Sequence, residues 1–96
     1  MAAYVIGELI EVTDSAGFEE YRRRAPVTIE RCGGGFIVRR GRLETLDGAW
    51  PPNGLVVTDF PSMEQATTWY DSAEYRELKA HRRRTARINL ALVEGV

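Results

Sequence analysis

The chain has 96 residues, a hydrophobic share of 44%, a charged share of 28% and a net charge of −1. That length fits one domain, residues 1–96, and the near-neutral charge gives no global attraction to nucleic acid or anionic membrane. The single cysteine, Cys32, excludes an internal disulfide and a cysteine metal cage.

A chain this short buries only about 60–65% of its unfolded surface, so self-association is the expected supplement to its stability. No apolar run approaches the roughly 20 residues of a bilayer span. The N-terminal "MAAYVIGELIEV" lacks a basic n-region, and Glu8 interrupts its apolar part, which argues against a signal peptide. With a lone thiol, this points to the cytoplasm.

Residues 3–12 are apolar on both parities, Tyr4, Ile6, Ile10 and Val12 against Val5 and Leu9, and predict a strand buried on both faces, β1. Asp14 then offers an N-cap, and Phe18, Tyr21, Ala25, Ile29 and Cys32 form the helical stripe of α1. Pro26 falls inside that stripe and predicts a kink or break near Ala25. The "GGG" at 33–35 ends the helix, one glycine taking the left-handed cap position.

"FIVRRG" (36–41) reads as β2, with 42–46 either continuing it past a bulge at Gly41 or forming a short hairpin arm. "DGAWPPNG" (47–54) is loop, and "LVVTDF" (55–60) is β3. Ser62 and Gln65 have the spacing of a capping box for α2, whose buried stripe is Ala66, Trp69 and Tyr70. A second cap signal at Asp71 or Ser72 predicts that this helix breaks and restarts. "INLALVEGV" (88–96) completes the chain as β4.

The order β-α-β-β-α-β with right-handed crossovers defines an α+β, ferredoxin-like sandwich: four antiparallel strands with both helices on one face. Two helices cover one face only, yet β1, β3 and β4 are apolar on both. Hiding even about 800 Å² of that second face is worth roughly 20 kcal/mol before association costs. Face-to-face pairing of two sheets into a homodimeric barrel is the expected solution. RNA-recognition motifs share this strand order, but their stacking aromatics lie on the first and third strands. Here "GGGFIVRR" falls on the second strand, and nucleic acid is not an expected partner.

"GGGFIVRRG", "LETLDGAWPP", "LVVTDFPSMEQATTWYDSAEYREL" and the closing "LALVEGV" together resemble the bacterial family known as domain of unknown function 1330. The resemblance covers essentially the whole chain. It implies a dimeric α+β barrel of the ferredoxin-like type. The wider superfamily includes cofactor-free monooxygenases, haem-binding enzymes and muconolactone-isomerase-like proteins, with a ligand pocket between sheet and helices. No activity comes with the family itself. The segment "LKAHRRRTAR" is more basic than the family pattern leads one to expect.

No metal site is expected. His81 is the only histidine, and it reads as a helix-face residue. Cys32 ends a helix, the wrong pole for activating a thiol, and reads as a buried structural residue. "GGG" follows a helix rather than opening one, so it is a cap and not a phosphate loop. What remains is an aromatic and arginine set: Arg39, Arg40, Trp50, Trp69, Tyr70, Tyr75 and Arg82.

Arg39 and Arg40 have opposite parity, so one faces a covered surface. There it needs a carboxylate such as Glu8, Glu44 or Asp59, or a ligand anion. Trp50, held by the prolines after it, reads as a rigid plug at the cleft rim or dimer interface. These residues suit a small-molecule site in the sheet–helix cleft for an apolar or aromatic ligand, with or without an anionic group, and with no cofactor. The alternative is a non-catalytic binding module in which the aromatics serve only as core.

Overall fold

The structure, a computed structural model, describes residues 1–50 and 53–96. The elements run β1 (Ala3–Val12), α1 (Ser15–Arg31), β2 (Gly35–Arg39), β3 (Leu55–Phe60), α2 (Met63–Tyr70), α3 (Ala73–Thr85) and β4 (Ala86–Glu94). One antiparallel sheet has the order β2-β3-β1-β4, with β1 pairing to β3 and β4. This is the ferredoxin-like α+β sandwich expected from the element order.

On β1, Ala3, Val5, Gly7 and Leu9 are buried and alternate with half-buried Tyr4, Ile6, Glu8 and Ile10. The register carries that alternation across the sheet, since Val5 lies opposite Thr58 and Leu92, and Gly7 opposite Val56 and Leu90. The buried parity joins Ile29, Phe60, Ala66, Trp69, Tyr75 and Leu78 in the main core under the helices. The other parity leaves Ile6, Val57 and the 46%-exposed Val93 on an uncovered face.

Local chemistry explains most boundaries. Asp14 accepts from the Gly17 amide as the α1 N-cap. At the other end, Gly33 has φ +81 and donates to the Glu30 carbonyl while Gly34 donates to that of Ile29. These are the two bonds of a Schellman cap, in which the left-handed residue is best a glycine. Ser62 caps α2 through the Gln65 amide. The Gln65 side chain does not reach back to the Ser62 amide. Its amide nitrogen donates instead to the Cys32 carbonyl at 3.1 Å, tying α2 to the end of α1. Ser72 accepts from the Tyr75 amide, so the helix restarts as α3 where the second cap signal stood.

Three expectations change. α1 runs through Pro26 without a break. β2 stops at Arg39, and residues 42–46 form neither a strand extension nor a hairpin arm. The bulge lies within β2, where the register slips between Phe36 and Val38, and not at Gly41. Strand β4 begins two residues earlier than expected, at Ala86, and ends at Glu94. Pro51 and Pro52, expected to stiffen the loop after Trp50, lie outside the described residues.

The tightest joint is at the β2 entry. A Cβ on Gly34 would lie 2.6 Å from Phe60 Cε1 and 2.8 Å from the Asp59 carbonyl oxygen. Gly34→Ala is expected to lower the unfolding free energy by about 1–3 kcal/mol, as overpacking does. Chemical denaturation measures this directly. Gly41→Ala, where nothing lies within 4 Å, is the matched control with little change.

Candidate functional site

Between the helices and the buried face of the sheet lies a cavity of about 70 Å³, walled almost entirely by apolar atoms. Its floor is Val5, Gly7, Leu9, Val56, Thr58, Ile88 and Leu90; its roof is Phe18, Tyr21, Ala25, Ile29, Trp69, Tyr75 and Arg82. Gly7 keeps the floor low, because a Cβ there would already meet Leu90 Cδ2 at 3.1 Å. The volume holds a few waters and is well below the roughly 300 Å³ of an ordinary ligand pocket. A full-sized ligand therefore requires the cleft to widen.

Two phenols bridge the roof. Tyr21 on α1 and Tyr75 on α3 place their hydroxyls 2.7 Å apart. Tyr75 is fully buried, and its ring packs 4.2 Å from that of Trp69. Burial pushes the Tyr21 phenol above its ordinary value, opposed by the bond from Tyr75 and the nearby Arg82 and Arg39 charges. Burial also raises Tyr75, and the neighbouring Tyr21 adds to it. Both stay neutral hydrogen-bonding groups near pH 7.

Arg82 belongs to the same roof. It is only 5% exposed, and its Nη1 is buried with no hydrogen-bond partner among the described residues. No carboxylate pairs with it among those residues either. A buried guanidinium donor left unpaired costs about 1–3 kcal/mol or more. Its neighbours Arg83 and Arg84 are exposed in the last turn of α3, where cations offset the helix dipole. The basic run thus splits into a solvated part and one inward residue.

Arg39 and Arg40 stand at the mouth. The β2 bulge puts Arg39 on the same side as Phe36, over whose ring its guanidinium sits at 4.5 Å. Arg39 Nη2 donates to the Arg22 carbonyl on α1 at 2.6 Å, not to Glu8, Glu44 or Asp59. Arg40 follows the strand with φ +56, a left-handed conformation uncommon for a side-chain-bearing residue, and donates from Nε to the Asn53 carbonyl. Arg22, Arg39 and Arg40 also line an open depression outside the cavity, together with Trp50 and Asn53. Trp50 is 53% exposed there.

The expected aromatics divide. Trp69 and Tyr75 wall the cavity, and Trp69 Nε1 donates to Thr28 Oγ1 at 3.0 Å. Tyr70 does not line it. That ring packs beside Trp69, takes Lys79 Nζ over its face at 3.7 Å, and faces a separate groove against β4. Tyr21, Thr58 and Phe36 line the cavity and were not singled out from sequence. Tyr21 carried a signal: a tyrosine on a buried helical stripe must find a partner for its hydroxyl. Cys32 is half-buried at the α1 cap. His81 ties α3 to α1, its Nε2 lying 2.6 Å from the Gly17 carbonyl oxygen. Among the described residues, no group of three or more His, Cys, Asp or Glu could hold a metal ion. No helix among them is long and apolar enough to cross a membrane.

Fold and cleft together define an α+β protein of the ferredoxin-like type with its cavity on the helix side of the sheet. The chain belongs to the family described as domain of unknown function (DUF1330), whose model matches residues 2–96. No functionally curated protein matches it.

Among solved structures, a protein of unknown function from Rhodopseudomonas palustris is similar with a TM-score of 0.76 at 18% identity, over 99% of this chain and 82% of that one. SnoaB, a cofactor-independent oxygenase from Streptomyces nogalater, aligns with a TM-score of 0.66 at 14% identity, over 99% of this chain and 93% of its own. A dimeric protein of unknown function and ferredoxin-like fold from Bacteroides fragilis gives 0.55 at 10% identity, over 98% and 96%. At such identities the likeness carries the fold alone.

Two outcomes are expected of these residues. Arg82→Met should raise the unfolding free energy of the ligand-free protein by about 1–3 kcal/mol, because an unpaired buried charge gives way to an apolar chain of similar length. Thermal or denaturant unfolding reads it. The raised phenols bind their protons more tightly folded than unfolded, so their contribution is intact below about pH 10 and is lost as pH rises beyond it. Each removes up to about 1.4 kcal/mol per pH unit in that window, and Tyr75→Phe should flatten the alkaline decline.

Proposed function

We propose that the cleft binds a small apolar or aromatic molecule bearing one anionic group, which Arg82 receives at the buried end. The observation that carries this is the buried Nη1 of Arg82, without a partner among the described residues, on the wall of a largely apolar cavity. A buried guanidinium nitrogen held without an acceptor is a standing cost to the fold, and a bound carboxylate, phenolate or enolate removes it. The flat walls formed by Tyr75, Trp69 and Phe36 suit a ring. Tyr21 and Tyr75, kept neutral, add hydroxyls to the same polar corner.

By analogy with the cofactor-independent oxygenase that shares this fold, the reading extends to chemistry in which the bound anion itself is the electron-rich reactant. In such chemistry the protein's tasks are to hold the anion, exclude water and orient the ring. Arg82, the phenol pair and the apolar walls suit all three. Arg39, Arg40 and Trp50 would then border the entrance. The competing reading, binding without turnover, uses the same contacts.

Titration calorimetry with benzoate and its neutral analogue benzamide tests the site. Benzoate should bind the wild type, and Arg82→Met should weaken it about tenfold or more, the effect of one charge-assisted hydrogen bond. Benzamide should bind weakly to both. Benzoate affinity that is equal in the two proteins would refute the assignment.

A second proposal rests on the uncovered sheet face. Ile6, Val57, Ala91 and Val93 place apolar surface there across three strands, and a second copy of the chain offers the matching face. A solved structure of the same fold is described as dimeric, which supports self-association. Light scattering should give twice the chain mass, and Ile6→Asp should halve it; a monomeric wild type sinks the idea.

A further inference from the structure

We infer that Arg39 is a second, exchangeable ligand contact at the mouth of the cleft, parked on a helix carbonyl that Pro26 leaves without its donor. In a helix the amide of residue 26 would bond the carbonyl of residue 22. Proline has no amide hydrogen, so the Arg22 oxygen is free to accept, and Arg39 Nη2 reaches it from β2 at 2.6 Å. This contact spans the cleft from sheet to helix, and Arg39 belongs to both the inner cavity and the outer depression. The guanidinium therefore stands across the way in.

Three features make it exchangeable. Its acceptor is one neutral carbonyl, whereas a carboxylate offers two charged oxygens and a bidentate fit. No carboxylate pairs with it among the described residues. It is also solvent-exposed, so its release needs no core rearrangement. Phe36 beneath the guanidinium keeps it near the mouth after it lets go.

The consequence is a ligand class. Resting on the reading of the cleft as an anion site, the contact adds a requirement for a second acceptor group. The ligand is an apolar body with two oxygen acceptor groups, the inner for Arg82 and the outer for Arg39.

The test uses a Trp50→Phe background, which leaves Trp69 as the only tryptophan. Acrylamide quenching of Trp69 should rise at least about twofold with either Arg39→Met or Pro26→Ala, because each opens the mouth. Binding is compared for benzoate, terephthalate and biphenyl-4,4′-dicarboxylate. In the background, at least one dicarboxylate should bind about fivefold or more tighter than benzoate. Arg39→Met should abolish that advantage. Pro26→Ala should increase it, since the restored amide competes for the Arg22 carbonyl and frees Arg39.

Effects of opposite sign are not expected from a merely structural arginine. Unchanged quenching in both variants overturns the proposal, as does a dicarboxylate affinity that shifts the same way in both or in neither. If benzoate binds in an Arg82-dependent manner without any Arg39-dependent gain, this proposal falls and the anion site stands. If none of the three anions binds, the anion site falls and takes the Arg39 ligand contact with it. Quenching then still decides whether Arg39 closes the mouth.

Discussion

The bond between the Tyr21 and Tyr75 hydroxyls is the constraint around which the helix layer is arranged. Neither phenol can be buried alone without leaving a polar group unsatisfied, so α1 and α3 must approach until the two hydroxyls meet. Their approach is fixed further along by the Gly17–Thr85 contact and by His81 against the Gly17 carbonyl, where a side chain at 17 would collide. Rings this large, standing over a sheet whose central strand carries Gly7, do not collapse onto it. The cavity is the remainder. Its polar corner arises from the same two hydroxyls and from Arg82, about two turns along α3 from Tyr75.

That corner runs against the interests of stability. Elsewhere the chain follows local rules closely: side-chain caps start all three helices and a Schellman cap ends α1. At Arg82 the rule that buried charges are paired is broken. Departures of this kind, set in an otherwise consistent fold, are where binding sites are to be sought.

Much of this was legible in the sequence. Strands β1 and β3 declare themselves by composition, and the Asp14, Ser62 and Ser72 caps lie where the cap residues stand. Trp69, Tyr75 and Arg82 were named, and all three line the cavity. What could not be read depends on partners distant in the chain. The bulge in β2 is set by pairing with β3, and it turns Arg39 to the side of Phe36. Pro26 read as a kink or a break because its effect was judged within α1. The carbonyl it frees is taken up by a residue 17 positions away from Arg22. Tyr70 shares the helical stripe of Trp69, yet α2 stops there and its ring is left to one side.

The bulge also bears on how the molecule keeps to itself. β2 is an edge strand of five residues, and its outer rim is a ready template for a foreign strand. A register slip in its middle twists that rim and spoils the even spacing of its free amides and carbonyls. Arg39 and Arg40 at its end add charge and a left-handed turn. An incoming strand would find no straight ladder to extend, so the irregularity that aims Arg39 inward also guards this edge against runaway pairing.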